Sequence, residues 1–133
     1  MRFFVWGFLA LLSVFALSLS GTSEHVLNIG NLFKFIVASL NVGGRVFHTN
    51  PVNKVNHGFY SLNPTIFHSI YEENGFSIED LAFWYGPYIN PQTKDIKEKQ
   101  HTRYLIKEEC SMSCTALKKE EVSFKFPVQW KYK

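Results

Sequence analysis

Residues Leu27–Thr49, LNIGNLFKFIVASLNVGGRVFHT, contain a change of hydrophobic period that decides the class of fold. Ile29, Leu32, Phe33, Ile36, Val37 and Leu40 recur at the i, i+3, i+4, i+7 spacing that lays one apolar stripe along a helix. Asn41-Val42-Gly43-Gly44 follows, and because glycine accepts the left-handed conformation of a helix end, the helix is expected to stop there. Arg45-Val46-Phe47-His48-Thr49 is then β-branched and aromatic, and reads as a strand.

The pattern continues toward the carboxy terminus. Asn50 to Asn63 is a polar loop with Pro51 and Gly58. Asn63 suits an N-cap and Pro64 the first helical position. Ile66, Phe67, Ile70 and Tyr71 form the next apolar stripe, which Asn74-Gly75 ends. Phe76 to Trp84 reads as a strand, Gly86 to Arg103 as a polar, turn-rich and mobile stretch, and Tyr104 to Leu117 as containing another strand. Val122 to Lys133 reads as an extended aromatic tail.

Upstream, the segment ending at Leu19 has two readings. Arg2, the uncharged run Phe3 to Leu19 and the small residues before Gly21 have the layout of a secretory signal peptide, or of a weaker signal anchor. Alternatively, Ser13 to Leu19 is a buried parallel strand, which is a continuous apolar run because helices cover its faces. With that strand included, the order strand, helix, strand, helix, strand, strand indicates an α/β fold with a mixed, mostly parallel sheet of about four strands.

Composition narrows the function. The 133 residues are 46% hydrophobic and 19% charged, which favours one packed domain over a disordered chain. A net charge of +3 is too small to announce nucleic acid, and no nucleic-acid partner is expected. The lysines alternate with acids in Lys94-Asp95-Ile96-Lys97-Glu98-Lys99 and in Lys118-Lys119-Glu120-Glu121, which reads as a solvated face. On a strand, Cys110 and Cys114 would lie about 13 Å apart, too far for a disulfide, and no histidine pair or second CxxC completes a zinc motif. Two free thiols and no metal are expected.

Three segments carry a family resemblance. Gly21-Thr22-Ser23-Glu24-His25-Val26 resembles the loop after the fourth strand of class I S-adenosylmethionine-dependent methyltransferases. Leu40-Asn41-Val42-Gly43-Gly44-Arg45-Val46 is similar to that family's L-K-P-G-G turn into the fifth strand, with Asn41 and Val42 in place of Lys and Pro. Asn50-Pro51, Val55-Asn56-His57-Gly58-Phe59-Tyr60-Ser61, Asn63-Pro64-Thr65 and the closing Phe126-Pro127-Val128-Gln129 resemble a bacterial subgroup of methyltransferase-like proteins.

The resemblance spans residues 13–133 and leaves 1–12 as an unmatched apolar leader or signal peptide. It implies the carboxy-terminal half of a Rossmann-like methyltransferase fold, with the last strand antiparallel between the second and third. It also implies S-adenosylmethionine as cofactor. Yet the family's donor site needs a glycine-rich turn and a ribose-binding acid, and the sequence has no G-x-G-x-x-G run. The chain is therefore expected to be inactive alone and not to bind the donor, whether it is a truncation, a split product or a mis-started reading frame.

The resemblance further implies a cytoplasmic protein that pairs with a complementary amino-terminal half, or with itself, along an exposed Val14–Leu19 edge. Export or membrane attachment follows only if Met1–Ser20 acts as a signal or uncleaved anchor. In that case the chain would be a small binding protein whose aromatic tail meets a partner.

Ligands of open α/β sheets bind beyond the carboxyl ends of the strands. Two loops stand there, Gly21 to Val26 and Asn50 to Tyr60. His57 is the first candidate for a catalytic base and His25 the second, because each could take a proton from a methyl acceptor. Glu24, Asn53, Asn56 and Tyr60 are the candidates for binding substrate. Each also has a structural reading: Glu24 as a helix cap, the asparagines as turn formers. His48 in a strand and His68 on a helix read as packing or surface residues.

Overall fold

Asn28 opens the first helix by accepting a hydrogen bond from the Asn31 amide at 3.2 Å, and α1 runs Ile29–Ser39. Asn63 does the same for the second, accepting from Thr65 at 3.0 Å, with Pro64 at the start of α2, Pro64–Glu73. In this computed structural model, which describes residues 14–86, 92–96, 103–106, 108–129 and 132, both helices pack on one face of a sheet. The strands are β1, Val14–Ser20; β2, Leu40–Pro51; β3, Phe76–Tyr85; β4, Gln92–Asp95; and β5, Cys110–Lys118.

The sheet has five strands in the order β1-β2-β5-β3-β4. β1 and β2 are parallel, while β5 lies antiparallel between β2 and β3. This is the insertion expected for the last strand. β1 is one edge of the described sheet and β4 the other.

The core lies between helices and sheet. Val46, His48 and Asn50 of β2 alternate inward, as do Cys110, Met112, Cys114 and Ala116 of β5. Phe33 of α1 meets Phe67 and Tyr71 of α2 edge-on, with centroids 6.2 and 6.1 Å apart. Each such pair adds roughly 0.5–1.5 kcal/mol to the burial itself. On the other face, Ser18, Phe47, Thr115 and Asp80 line up across neighbouring strands. That face is thinly covered, with Phe47 41% exposed.

Four features depart from the sequence reading. α1 ends at Ser39, before the glycine pair, because Leu40 turns extended to fill the core and pair with Val14. Gly43, at φ +87°, instead serves the irregularity that shifts the β1–β2 register between Leu40 and Arg45. The stretch Gly86 to Arg103 contains a fifth strand, β4, antiparallel to β3; residues 87–91 and 97–102 lie outside the described residues. Lys118 is not on a solvated face. It is 1% exposed, and its ammonium donates at 2.8 Å to both Val37 O and Leu40 O at the end of α1 and sits 2.7 Å from Glu121. A cation there complements the negative end of the helix dipole and satisfies carbonyls the helix leaves unpaired.

The tail after β5 is anchored by a fully buried Asn74, which donates to Ile70 O at 2.7 Å and Lys125 O at 2.9 Å and accepts from Lys125 N at 2.8 Å. Both cysteines are free, as expected. Val14–Ser20 takes the strand reading; Met1–Ser13 lies outside the described residues. No described helix is long and apolar enough to cross a membrane.

Candidate functional site

Because β1 and β2 are parallel, their carboxyl ends meet at one rim of the sheet, with Ser20 opposite Thr49. Gly21, at φ +59°, turns the chain there while its amide donates to Thr49 O at 2.8 Å. A single 3-10 turn, Ser23–His25, follows. It drives the Glu24 side chain inward, where it is fully buried, and leaves His25 at the surface.

The second loop closes over the first. Phe59 N and Tyr60 N donate to the Glu24 carbonyl at 2.8 and 3.3 Å. Gly58 makes that approach possible, since a Cβ there would lie 2.8 Å from Glu24 O and 3.0 Å from Glu24 Cγ. The contact brings His57 over the carboxylate, its Nε2 3.6 Å from Glu24 Oε1. His25 Nε2 lies 3.8 Å from the same oxygen, and the two imidazole centroids are 5.3 Å apart. The histidine side chains are about half exposed, 49% for His25 and 46% for His57. Three donor atoms, one each from Glu24, His25 and His57, lie within 4.8 Å of one another.

Asn50 completes the arrangement. At the end of β2 and 1% exposed, it donates from Nδ2 to Glu24 Oε2 at 2.6 Å. The carboxylate is thus held by one oxygen, while Oε1 has no hydrogen-bond partner among the described residues and faces the imidazoles. Such a group can accept a proton from, or hold a cation against, a molecule arriving from solvent.

Below the rim runs a second polar chain. Ser23 Oγ lies 3.4 Å from His48 Nδ1, and His48 Nε2 hydrogen-bonds the Tyr71 hydroxyl. Burial lowers the His48 imidazole to about 3 and raises the Tyr71 phenol well above its ordinary range, with Cys114 adding to the latter. Neutral His48 is therefore a structural link between the turn after β1, β2 and α2, and not a proton carrier near neutral pH. Burial likewise raises the thiols of Cys110 and Cys114, which makes both poor nucleophiles.

Of the six candidates from sequence, the fold unites Glu24, His25 and His57. The other three hold the loop. Asn53 accepts from Cys110 N and donates to Glu108 O, both at 2.8 Å. The Tyr60 hydroxyl donates to Leu27 O at 2.6 Å. Asn56, at φ 62°, is exposed at the turn before His57. Glu24 does not cap a helix. Asn50 was missed as a site residue, although the inward alternation Val46, His48, Asn50 is visible in the sequence.

A cavity of about 590 Å³ lies elsewhere, lined by His68, Glu72, Phe76, Ile78 and Asp95 among others. It borders the start of β3, which is parallel to β2, and so opens near the opposite rim from Glu24. His68 there is tied to Glu72 at 3.0 Å.

Fold and site together define an α/β domain with a polar crevice beyond the ends of two parallel strands. No family model matches the chain, and neither a curated protein nor a solved structure is significantly similar to it.

Proposed function

We propose that the chain is the acceptor-side half of a class I methyltransferase-like domain, the carboxy-terminal half of a Rossmann-like fold, which does not bind S-adenosylmethionine by itself. The observation that supports this reading best is the strand order: β5, last in sequence, is antiparallel between β2 and β3, with β1 parallel to β2 and open on its other side among the described residues. The same segments that carry the sequence resemblance form the rim. Gly21 to Val26 follows β1, and Val55 to Ser61 closes over it.

His57 and His25 are the residues able to take a proton from an acceptor entering the crevice, and Glu24 orients them. The donor's glycine-rich cradle would come from a complementary half laid along β1, or self-association would cover that edge instead. Removal of Met1–Ser20 as a signal fits this reading poorly, because cleavage after Ser20 would delete β1 and take the buried Leu19 from the core.

Two measurements on the purified chain test the reading. Calorimetric titration should show no saturable S-adenosylmethionine binding in the micromolar range, about −8 kcal/mol at 1 μM. Light scattering after size exclusion should show a dimer or larger species. Saturable donor binding by the chain alone, or a monodisperse monomer at high concentration, would overturn it.

A further inference from the structure

We infer that Glu24, His25 and His57 form a binding site for one divalent transition-metal cation, with zinc the best-fitted ion. Every ligand belongs to this chain, so the site does not need the methyltransferase-like reading; with zinc bound, the imidazole lone pairs would be engaged, and His25 and His57 would take a proton from an acceptor only in the metal-free chain. The carboxylate of Glu24 is fully buried, yet only Oε2 is satisfied, by Asn50 Nδ2 at 2.6 Å. Oε1 has no hydrogen-bond partner among the described residues. A buried carboxylate oxygen left bare is costly in a low-dielectric interior, and a bound cation is one of the few things that offsets the cost.

The surroundings of Oε1 supply the rest of a coordination sphere. His57 Nε2 stands 3.6 Å and His25 Nε2 3.8 Å from it. Two ligands bonded to zinc at about 2.0–2.1 Å and a tetrahedral angle lie roughly 3.4 Å apart. The two carboxylate–imidazole separations therefore need to close by only a few tenths of an ångström, and the two imidazole donors, which lie within 4.8 Å of one another, by at most about 1.4 Å. The histidines can supply that movement, since both are about half exposed while Glu24 is fixed.

The donor set selects the metal. Calcium and magnesium prefer oxygen ligands alone, whereas two imidazoles and one carboxylate suit zinc and its first-row neighbours. The exposed side of the histidines leaves room for water or another oxygen ligand in a fourth position, the pattern of an open zinc site.

The supporting contacts are those such a site needs. Asn50 aims the carboxylate from behind, as partners of metal ligands commonly do. Phe59 N and Tyr60 N fasten the loop carrying His57 to the Glu24 carbonyl, so ligands from two distant segments are held in register. Gly58 lets the segments touch. The other potential soft ligands are less available: Cys110, Cys114, His48 and His68 are all buried. Sequence spacing gave no hint of this, because the two histidines stand on separate loops.

The test is titration of the metal-free full chain with zinc chloride by calorimetry, beside His25→Ala and His57→Ala, with circular dichroism to establish that each variant is folded. The parent should bind one zinc per chain, and each variant should lose more than about tenfold in affinity, at least the scale seen when a metal site's supporting residues are removed. Magnesium chloride should bind far more weakly than zinc. Absence of a one-to-one zinc transition in the parent, or variants that bind zinc as tightly as the parent, would overturn the assignment. Equal affinity for magnesium would overturn the choice of a transition metal.

Discussion

Acidification should destabilise this protein through His48 well before its carboxylates are protonated, and His48→Gln should remove that sensitivity. His48 is 2% exposed, and burial lowers its imidazole from 6.5 to about 3. Between those values the unfolded chain binds a proton that the folded chain refuses. The native state's advantage is therefore complete above about pH 6.5 and shrinks as pH falls toward about 3, at about 1.4 kcal/mol per pH unit. From about pH 6.5 to about pH 5 the loss is about 2 kcal/mol, a substantial part of the 5–15 kcal/mol typical of a domain.

Glutamine keeps an amide that can reach Ser23 and Tyr71 but cannot titrate. Its absolute stability will differ, so the informative quantity is the slope. Urea unfolding at several values between about pH 7 and about pH 5 should give a steeper decline for the parent, by about 1.4 kcal/mol per unit. Parallel slopes would refute the claim that a neutral imidazole is locked in the core. Glu79, lowered by its hydrogen bond and charge pairing with Arg45, acts in the same direction only at lower pH, as pH falls through the range where its carboxylate protonates.

Two further outcomes are expected. Lys118→Met should cost about 2–4 kcal/mol in denaturant unfolding, since charge-assisted bonds contribute roughly 1.5–3 kcal/mol each and methionine is easier to bury; a loss under about 0.5 kcal/mol would show that Val37 O and Leu40 O need no cation. Gly58→Ala should cost about 1–3 kcal/mol, because its Cβ meets the Glu24 backbone and not a yielding side-chain tip. Thermal unfolding measures it, and an unchanged midpoint would mean the His57 loop is not pressed on Glu24.

What could be read from the sequence was what depends on neighbours in the chain. The stripe from Ile29 to Val37 and the Asn63-Pro64 start are local signals, and both helices formed where those signals stand. Glycine at 43 is also a local signal, but one with two uses. The pull of Leu40 into the core ended the helix early and left Gly43 to shape a strand. Gln92–Asp95 has four exposed polar residues and little strand propensity, so its place in the sheet comes from pairing with Ala82–Tyr85 and not from composition. Lys118 looked like surface because its neighbours are; only the end of α1, some eighty residues earlier in the chain, explains its burial. Glu24 and His57 were legible as members of one rim, but Asn50's grip on Glu24 and the free Oε1 are matters of distance that no spacing encodes.

The placement of the metal ligands bears on how the proposed half-domain would work. Glu24 and His25 stand in the turn leaving β1, the strand whose other edge is open among the described residues. A chain added along that edge would bring the end of its own strand beside Gly21, next to the imidazoles but not between them. In that arrangement the donor cradle and the acceptor site would face one another across the seam, each built by a different half. Metal binding and donor binding would then be separable: zinc should be held before any complementary half arrives, whereas S-adenosylmethionine should not. Such an ordering fits a Glu24 fastened from within, by Asn50 and by the loop bearing His57. A site completed only by a partner would leave its key carboxylate exposed in the isolated chain, and here it is the most enclosed acid at the rim.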